Sequence, residues 1–135
     1  PHRRRRAPQR RGAAAVEMAI VAPIFFFLVM ASFEFGRLNI IRHTADHAAY
    51  EAARHTMVPG ATASEARQHA ARALSLVGTR GASIAIDPPV IDASVDEITV
   101  TIDIPLNQNG WVTPRFTSNK TIRAVSRLKT ERTGE

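Results

Sequence analysis

AAAVEMAIVAPIFFFLVMASF, Ala13 to Phe33, is the stretch on which the reading of this chain turns. Its 21 residues hold one charge, Glu17, and one proline, Pro23. As a helix it reaches about 31 Å at about 1.5 Å per residue, close to the thickness of a bilayer's hydrocarbon core. Ile24 to Met30 (IFFFLVM) is apolar all round and lacks the 3.6-residue stripe of a helix packed on one side only. The stretch therefore reads as a membrane-spanning helix rather than a buried core helix. A cleaved secretory signal is the nearest competitor. The run is long for such a signal, and its far end, MASFEFGR, offers no convincing A-x-A cleavage site.

The twelve residues before this stretch, PHRRRRAPQRRG, contain six arginines and no acid. The whole chain of 135 residues has 18 basic and 12 acidic side chains, a net charge of +6. The entire excess thus lies in residues 1–12, and the remainder is formally neutral. A short basic arm beside an apolar helix is what the positive-inside rule describes, so the N-terminus is expected in the cytoplasm and the C-terminal part outside. That account needs no nucleic acid, and none is expected as a partner. A twin-arginine pair can be drawn from the arm, but any arginine-rich arm produces such pairs. With no cysteine, disulfides, thiol nucleophiles and cysteine-based zinc sites are excluded.

Downstream, Phe35 to Met57 keeps helical character. Ile41, Ala45, Ala48 and Ala52 make an apolar stripe, and Arg42 and Asp46 stand at i,i+4 on the exposed side. No proline lies between Pro23 and Pro59, so one helix is expected to run from the membrane into water, with Gly36 its soft point and Pro59-Gly60 its end. Thr62-Ala63-Ser64-Glu65 has capping-box spacing and opens a second helix to about Val77, closed by Gly78. The period then changes to two. Ala82, Ile84 and Ile86 alternate with polar or small residues, and Ile98, Val100, Ile102 and Ile104 alternate strictly with polar ones. Ile122, Ala124 and Leu128 fit one face of a last strand, and Asn109-Gly110 is a turn signal in the loop before it.

The expected fold class is α+β: a long N-terminal membrane-spanning helix extending into a second helical segment, then a helix and a small antiparallel sheet. The expected division is a basic cytoplasmic leader over 1–12, a transmembrane helix over 13–35 and an extracytoplasmic α+β domain over 36–135.

The segment Gly12-Ala13-Ala14-Ala15-Val16-Glu17 joins a glycine at the cytoplasmic border, an apolar run beginning at the next residue, and an acid five positions in. A carboxylate in a membrane helix costs about 2.5–3.5 kcal/mol on insertion scales, so Glu17 calls for a partner or a task. One account is local: Glu17 lies about one turn from the helix start, where the dipole favours an anion. The other is proteolytic. A cut after Gly12 removes six arginines and exposes an α-amine on Ala13, a counter-charge for Glu17 of the same or a neighbouring subunit. Ala13, Ala14, Ala15 and Ala19 are small enough for close helix packing.

RRGAAAVEMAIVAPIFFFLVMASFEFGR, residues 10–37, resembles the N-terminus of TadE-like proteins, the minor pseudopilins of the Tad (Flp) pilus system. AAYEAAR, Ala48 to Arg54, resembles the Ala- and Arg-rich segment that follows the anchor in that family. The resemblance implies processing by the Tad prepilin peptidase, a membrane aspartic protease, with Gly12 as the last leader residue and Ala13 as the mature N-terminus. It implies that Glu17 aids processing or neutralises a neighbour's amine. Pro23 corresponds to a proline often found in the anchor. Met18 departs from the family, which usually has an aromatic residue there. The implied partners are the cytoplasmic membrane, the prepilin peptidase, other pilins or pseudopilins and Tad assembly proteins. The implied location is the bacterial inner membrane, with entry into an extracellular pilus as an extension. An uncleaved, single-pass membrane-anchored binding or sensor protein is the alternative, and it gives Glu17 no task.

His43, His47, Glu51 and His55 stand four residues apart on one helical face. They spread over about 18 Å, too far for one ion, and Thr44 after His43 excludes an HExxH motif. A solvated or subunit-facing stripe is the expected role, and no metal or cofactor is expected. Asp87, Asp92, Asp96, Glu97 and Asp103 lack the dense spacing of a calcium loop. Asn119-Lys120-Thr121 meets a glycosylation sequon, which is common by chance. No nucleophile elbow or paired catalytic groups occur, so an enzyme is not expected. Trp111 and Phe116 flank a loop proline, and the sequence leaves core, membrane-interface and partner contacts open for them.

Overall fold

The computed structural model describes residues 10–91, 94–111 and 119–129. Helix α1 is Arg10–His55, α2 is Ala63–Leu76, and three strands follow: β1 Ser83–Asp87, β2 Glu97–Pro105 and β3 Thr121–Lys129. The class is α+β. The chain divides into two compact units, Pro1–Phe33 and Glu34–Glu135.

In the first unit α1 continues through Pro23. The proline lacks an N–H, so the helix forgoes one bond to Ala19. The apolar side chains of this unit are turned outward all round: Val16, Ile20, Phe25, Phe26, Phe27 and Leu28 are all exposed.

The second unit holds the core. Helix α1 passes Gly36 unbroken and then buries the alanine stripe read from the sequence, Ile41, Ala45, Ala48 and Ala52, together with Ala49 and Ala53. Alanine has the strongest helix propensity and the smallest side chain that still packs. A stripe of it therefore makes a stiff helix whose backbone lies close to its neighbours. The helix ends at His55, ahead of the expected Pro59-Gly60, because Thr56 turns its hydroxyl back onto the Ala53 carbonyl and the turn at 56–60 closes on Gly60 at φ 85°. Arg42 and Asp46 are both exposed without pairing; among the described residues the ion pair is Arg123–Asp103. Two long solvated side chains gain too little from an exposed i,i+4 contact to hold one geometry.

Helix α2 begins as its capping box dictates. The Thr62 hydroxyl accepts from the Glu65 N–H at 3.2 Å, and the Glu65 carboxylate accepts from the Thr62 N–H at 3.1 Å. It ends in a Schellman arrangement: the Gly78 N–H donates to the Ser75 carbonyl and the Thr79 N–H to the Leu74 carbonyl, with Gly78 at φ 66°. Ala63, Ala66, Ala70 and Leu74 form its buried face.

The sheet has the order β1-β2-β3, antiparallel throughout, with Ile84 opposite Ile102 and Ile102 opposite Ala124. Ile98, Val100, Ile102 and Ile104 of the central strand are buried, and they join the alanines of both helices in one cluster. Each such side chain contributes about 1.5–3 kcal/mol by leaving water. The opposite face of the sheet carries Thr99, Thr101 and Asp103 on β2, with exposed Ala85 and Val125 on the flanking strands.

Asn109-Gly110 lies in a turn of the loop between β2 and β3, as the sequence suggests, but the turn is not of the left-handed hairpin kind. A short 3-10 helix, Leu106–Gln108, follows β2, and neither Asn109 nor Gly110 adopts a left-handed conformation. Asn109 is buried instead, for a reason set by its side chain.

Candidate functional site

The N-terminal determinants lie on the outward surface of α1. Gly12 is helical, and a Cβ placed on it meets nothing within 4 Å. Neither conformation nor space requires a glycine there. Ala13, Ala14, Ala15, Glu17, Ala19 and Pro23 are all exposed on the same helix. Among the described residues no side chain pairs with Glu17. None of the span of highest hydropathy is buried within the protein, so a soluble core helix is not what this element is; it is long and apolar enough to cross a membrane.

A second set of polar residues gathers in the Glu34–Glu135 unit, and sequence reasoning did not single it out. Glu34, the residue after the apolar run, is only 2% exposed. Its carboxylate accepts the Trp111 backbone N–H across both oxygens, at 2.9 and 3.1 Å. One turn on, the Arg37 Nε–H donates to the Asn109 carbonyl at 3.1 Å, and its guanidinium carbon stands 5.5 Å from the centroid of the Trp111 ring. That separation is within cation–π range.

Asn109 anchors this group. Its Oδ1 accepts from the Arg80 N–H at 2.8 Å, and its Nδ2 donates to the carbonyls of Arg80 at 2.8 Å and Pro105 at 2.7 Å. Three of the four hydrogen-bonding positions of the amide are filled, which is why it tolerates burial. The Asn-Gly pair is thus a buried tie between two loops. Nearby, Gly81 sits at φ 66°, a conformation that favours glycine, and a Cβ there would also displace the end of the exposed Gln108 side chain. An acid directly after an apolar run was the available signal for Glu34. Its partner lies 77 residues away, beyond any local pattern.

The histidine ladder separates. His43 and His47 are exposed, whereas His55 turns toward α2 and meets His69 with ring centroids 4.6 Å apart. Glu51, His55 and His69 line one shallow cleft between the helices; His55, Glu65, His69 and Arg72 line the next. Among the described residues no three His, Asp or Glu side chains are placed to hold a metal ion. The Glu65 carboxyl is held below its ordinary value by the Thr62 backbone and side-chain hydrogen bonds and by the nearby His55 and His69.

The acidic residues of the sheet region disperse. Asp103 is taken by Arg123 through two hydrogen bonds of 2.7 and 3.1 Å, a contact that raises the arginine's pKa. Asp87 ends β1 and Glu97 begins β2. Asp92 and Phe116 lie outside the described residues, as do the first nine residues of the basic arm.

An exposed apolar N-terminal helix leading into an α+β domain defines a membrane-anchored class of protein. Residues 12–54 match the family model of TadE-like proteins, and over that segment the chain is similar to that family. The match covers α1 from Gly12 to Arg54, both its outward apolar part and its buried alanine stripe. It associates the chain with the Tad pilus system and with pilus assembly components in a membrane. No match was found among curated proteins or among solved structures.

Proposed function

We propose that this chain is a minor pseudopilin in Tad/Flp pilus biogenesis, processed after Gly12 by a prepilin peptidase and assembling through its N-terminal helix. The observation that carries this reading is Gly12: a glycine that the fold does not need, placed in α1 immediately before its outward-facing apolar stretch, which has an acid at its fifth residue. A peptidase that must bring its catalytic carboxylates to the scissile backbone needs what glycine supplies, a peptide unit without a side chain in the way. Removing the arm takes away six arginines and leaves the Ala13 amine as a counter-charge for Glu17. Pairing offsets the cost of a lone carboxylate in lipid. Ala15 and Ala19, at i,i+4, form a small-residue surface suited to another helix.

In this reading the protein sits in the bacterial inner membrane, N-terminus in and C-terminus out, and its work is assembly rather than catalysis. Co-expression with a Tad prepilin peptidase, followed by mass spectrometry of the N-terminus, is the direct test. The expected product begins at Ala13; an intact leader, or a cut near residue 32, overturns the processing claim. The competing reading, an uncleaved anchored sensor, predicts that Glu17→Ala leaves function untouched. The pseudopilin reading predicts normal membrane insertion but defective pilus assembly for that variant.

A further inference from the structure

The geometry points to Trp111 and Arg37 as an interfacial anchor that seats the α+β domain on the lipid headgroups at the C-terminal end of the membrane span. The inference rests on the reading of residues 13–33 as that span. Trp111 has its backbone N–H held and its side chain left out. Its N–H is held by the buried Glu34 carboxylate, and its chain neighbours lead back to Asn109, which is tied to Arg80 and Pro105. The indole nevertheless remains 64% exposed. A large amphipathic ring on so constrained a backbone is being presented, not merely tolerated.

The level of presentation follows from adjacency in the chain. Glu34 is the next residue after Phe33, and Arg37 is four residues beyond Phe33, so the chain itself keeps both within a few residues of the end of the apolar run. The headgroup region on each side of a bilayer is about 5–7 Å deep, the difference between its full and hydrocarbon thickness shared by two leaflets. Arg37 and the indole stacked with it therefore fall within that layer. The residue types fit the layer as well. Tryptophan concentrates at membrane interfaces, where the ring body meets acyl chains and the N–H meets water. A half-buried arginine that spends its Nε–H on the Asn109 carbonyl keeps its two terminal nitrogens as donors of the kind that suit lipid phosphates. Phe35, also exposed, adds apolar surface within the same turn of the helix. Glu34 makes the placement possible: its charge is taken up by the Trp111 N–H within the domain instead of facing the acyl chains.

A lipid surface is favoured over a protein partner because Glu34, which holds this patch, directly follows the apolar run in the chain, and because a cation beside an indole suits phosphate. The chain has a single tryptophan, so its fluorescence reports on this site alone. The full chain is reconstituted at high dilution into phosphatidylcholine vesicles, either plain or carrying bromines near the headgroup or near the bilayer centre. Flotation of the vesicles reports whether the chain is anchored. The expected result is co-flotation, emission shifted to the blue of that in urea, and stronger loss of emission with shallow than with deep bromines. Glu34→Ala, which releases the Trp111 backbone, is expected to float equally well while losing the preference for shallow bromines. A chain that floats but whose emission is unaffected by either bromolipid and open to aqueous acrylamide overturns the anchor and assigns the patch to solvent or a protein partner. A chain that fails to float overturns the span, and the anchor with it.

Discussion

Asn109 shows how much one side chain can decide. Its amide answers two backbone groups of Arg80 and one of Pro105, joining the loop before β1 to the loop after β2. Asn109→Ala strands these groups in a buried setting, where each unmet polar atom costs about 1–3 kcal/mol. The expected loss, partly relieved by water, is about 2–4 kcal/mol in chemical unfolding of the micelle-bound protein. The same variant is expected to loosen Trp111, seen as emission shifting to the red. Gly81 offers a cleaner backbone test. Gly81→Ala forces a Cβ into the left-handed region, for an expected cost of about 1–2 kcal/mol. Adding Gln108→Ala should recover only the part due to the Gln108 contact and leave the conformational part. Gly12 and Glu17 differ in kind from these positions, since replacing Gly12 by Ala is expected to leave the melting temperature unchanged while slowing processing.

At the level of elements, α2 is held at its start by charge as well as by hydrogen bonds. The Glu65 pKa is lowered in the folded protein, so its contribution is fully present above the unfolded carboxylate value and is lost as pH falls through the lowered folded value. Stability is therefore expected to fall on acidification below about pH 4.5 by more in the wild type than in Glu65→Gln, which keeps an acceptor for the Thr62 N–H. Thermal melts of both proteins across that range give the comparison. Helix α1 is tested through its alanine stripe. Ala52→Leu inserts three heavy atoms into a fully buried contact and is expected to cost about 1–3 kcal/mol through overpacking. These elements were legible because their signals are local. The capping box spans four residues, the β2 alternation nine, and the stripe on α1 repeats with the helix itself. The cluster of Glu34, Arg37, Asn109 and Trp111 was not legible. Side-chain bonds to backbone across 72 and 77 residues leave no period, and an Asn-Gly pair signals a turn but not its burial.

For the molecule as a whole, two solvents divide the work. Every buried hydrophobic side chain among the described residues lies between Ile41 and Ala124, and none comes from the first unit. A chain beginning at Glu34 is therefore expected to keep the far-UV spectrum and cooperative melting of the domain while losing stable co-flotation with vesicles, since headgroup contact alone is weak and reversible. Undiminished co-flotation of such a chain would show that residues 13–33 are not the anchor. The amino-acid sequence by itself determined the apolar span, the location of the whole charge excess in residues 1–12, the two helices and the three strands, because hydropathy, charge and period act over one or two turns of chain. Tertiary structure alone decided that Asn109 is a buried tie, that His55 leaves its ladder to meet His69, and that the Trp111 N–H is held by Glu34. Those outcomes depend on which distant backbone groups need partners once the core has closed, and no local pattern in the chain records that demand.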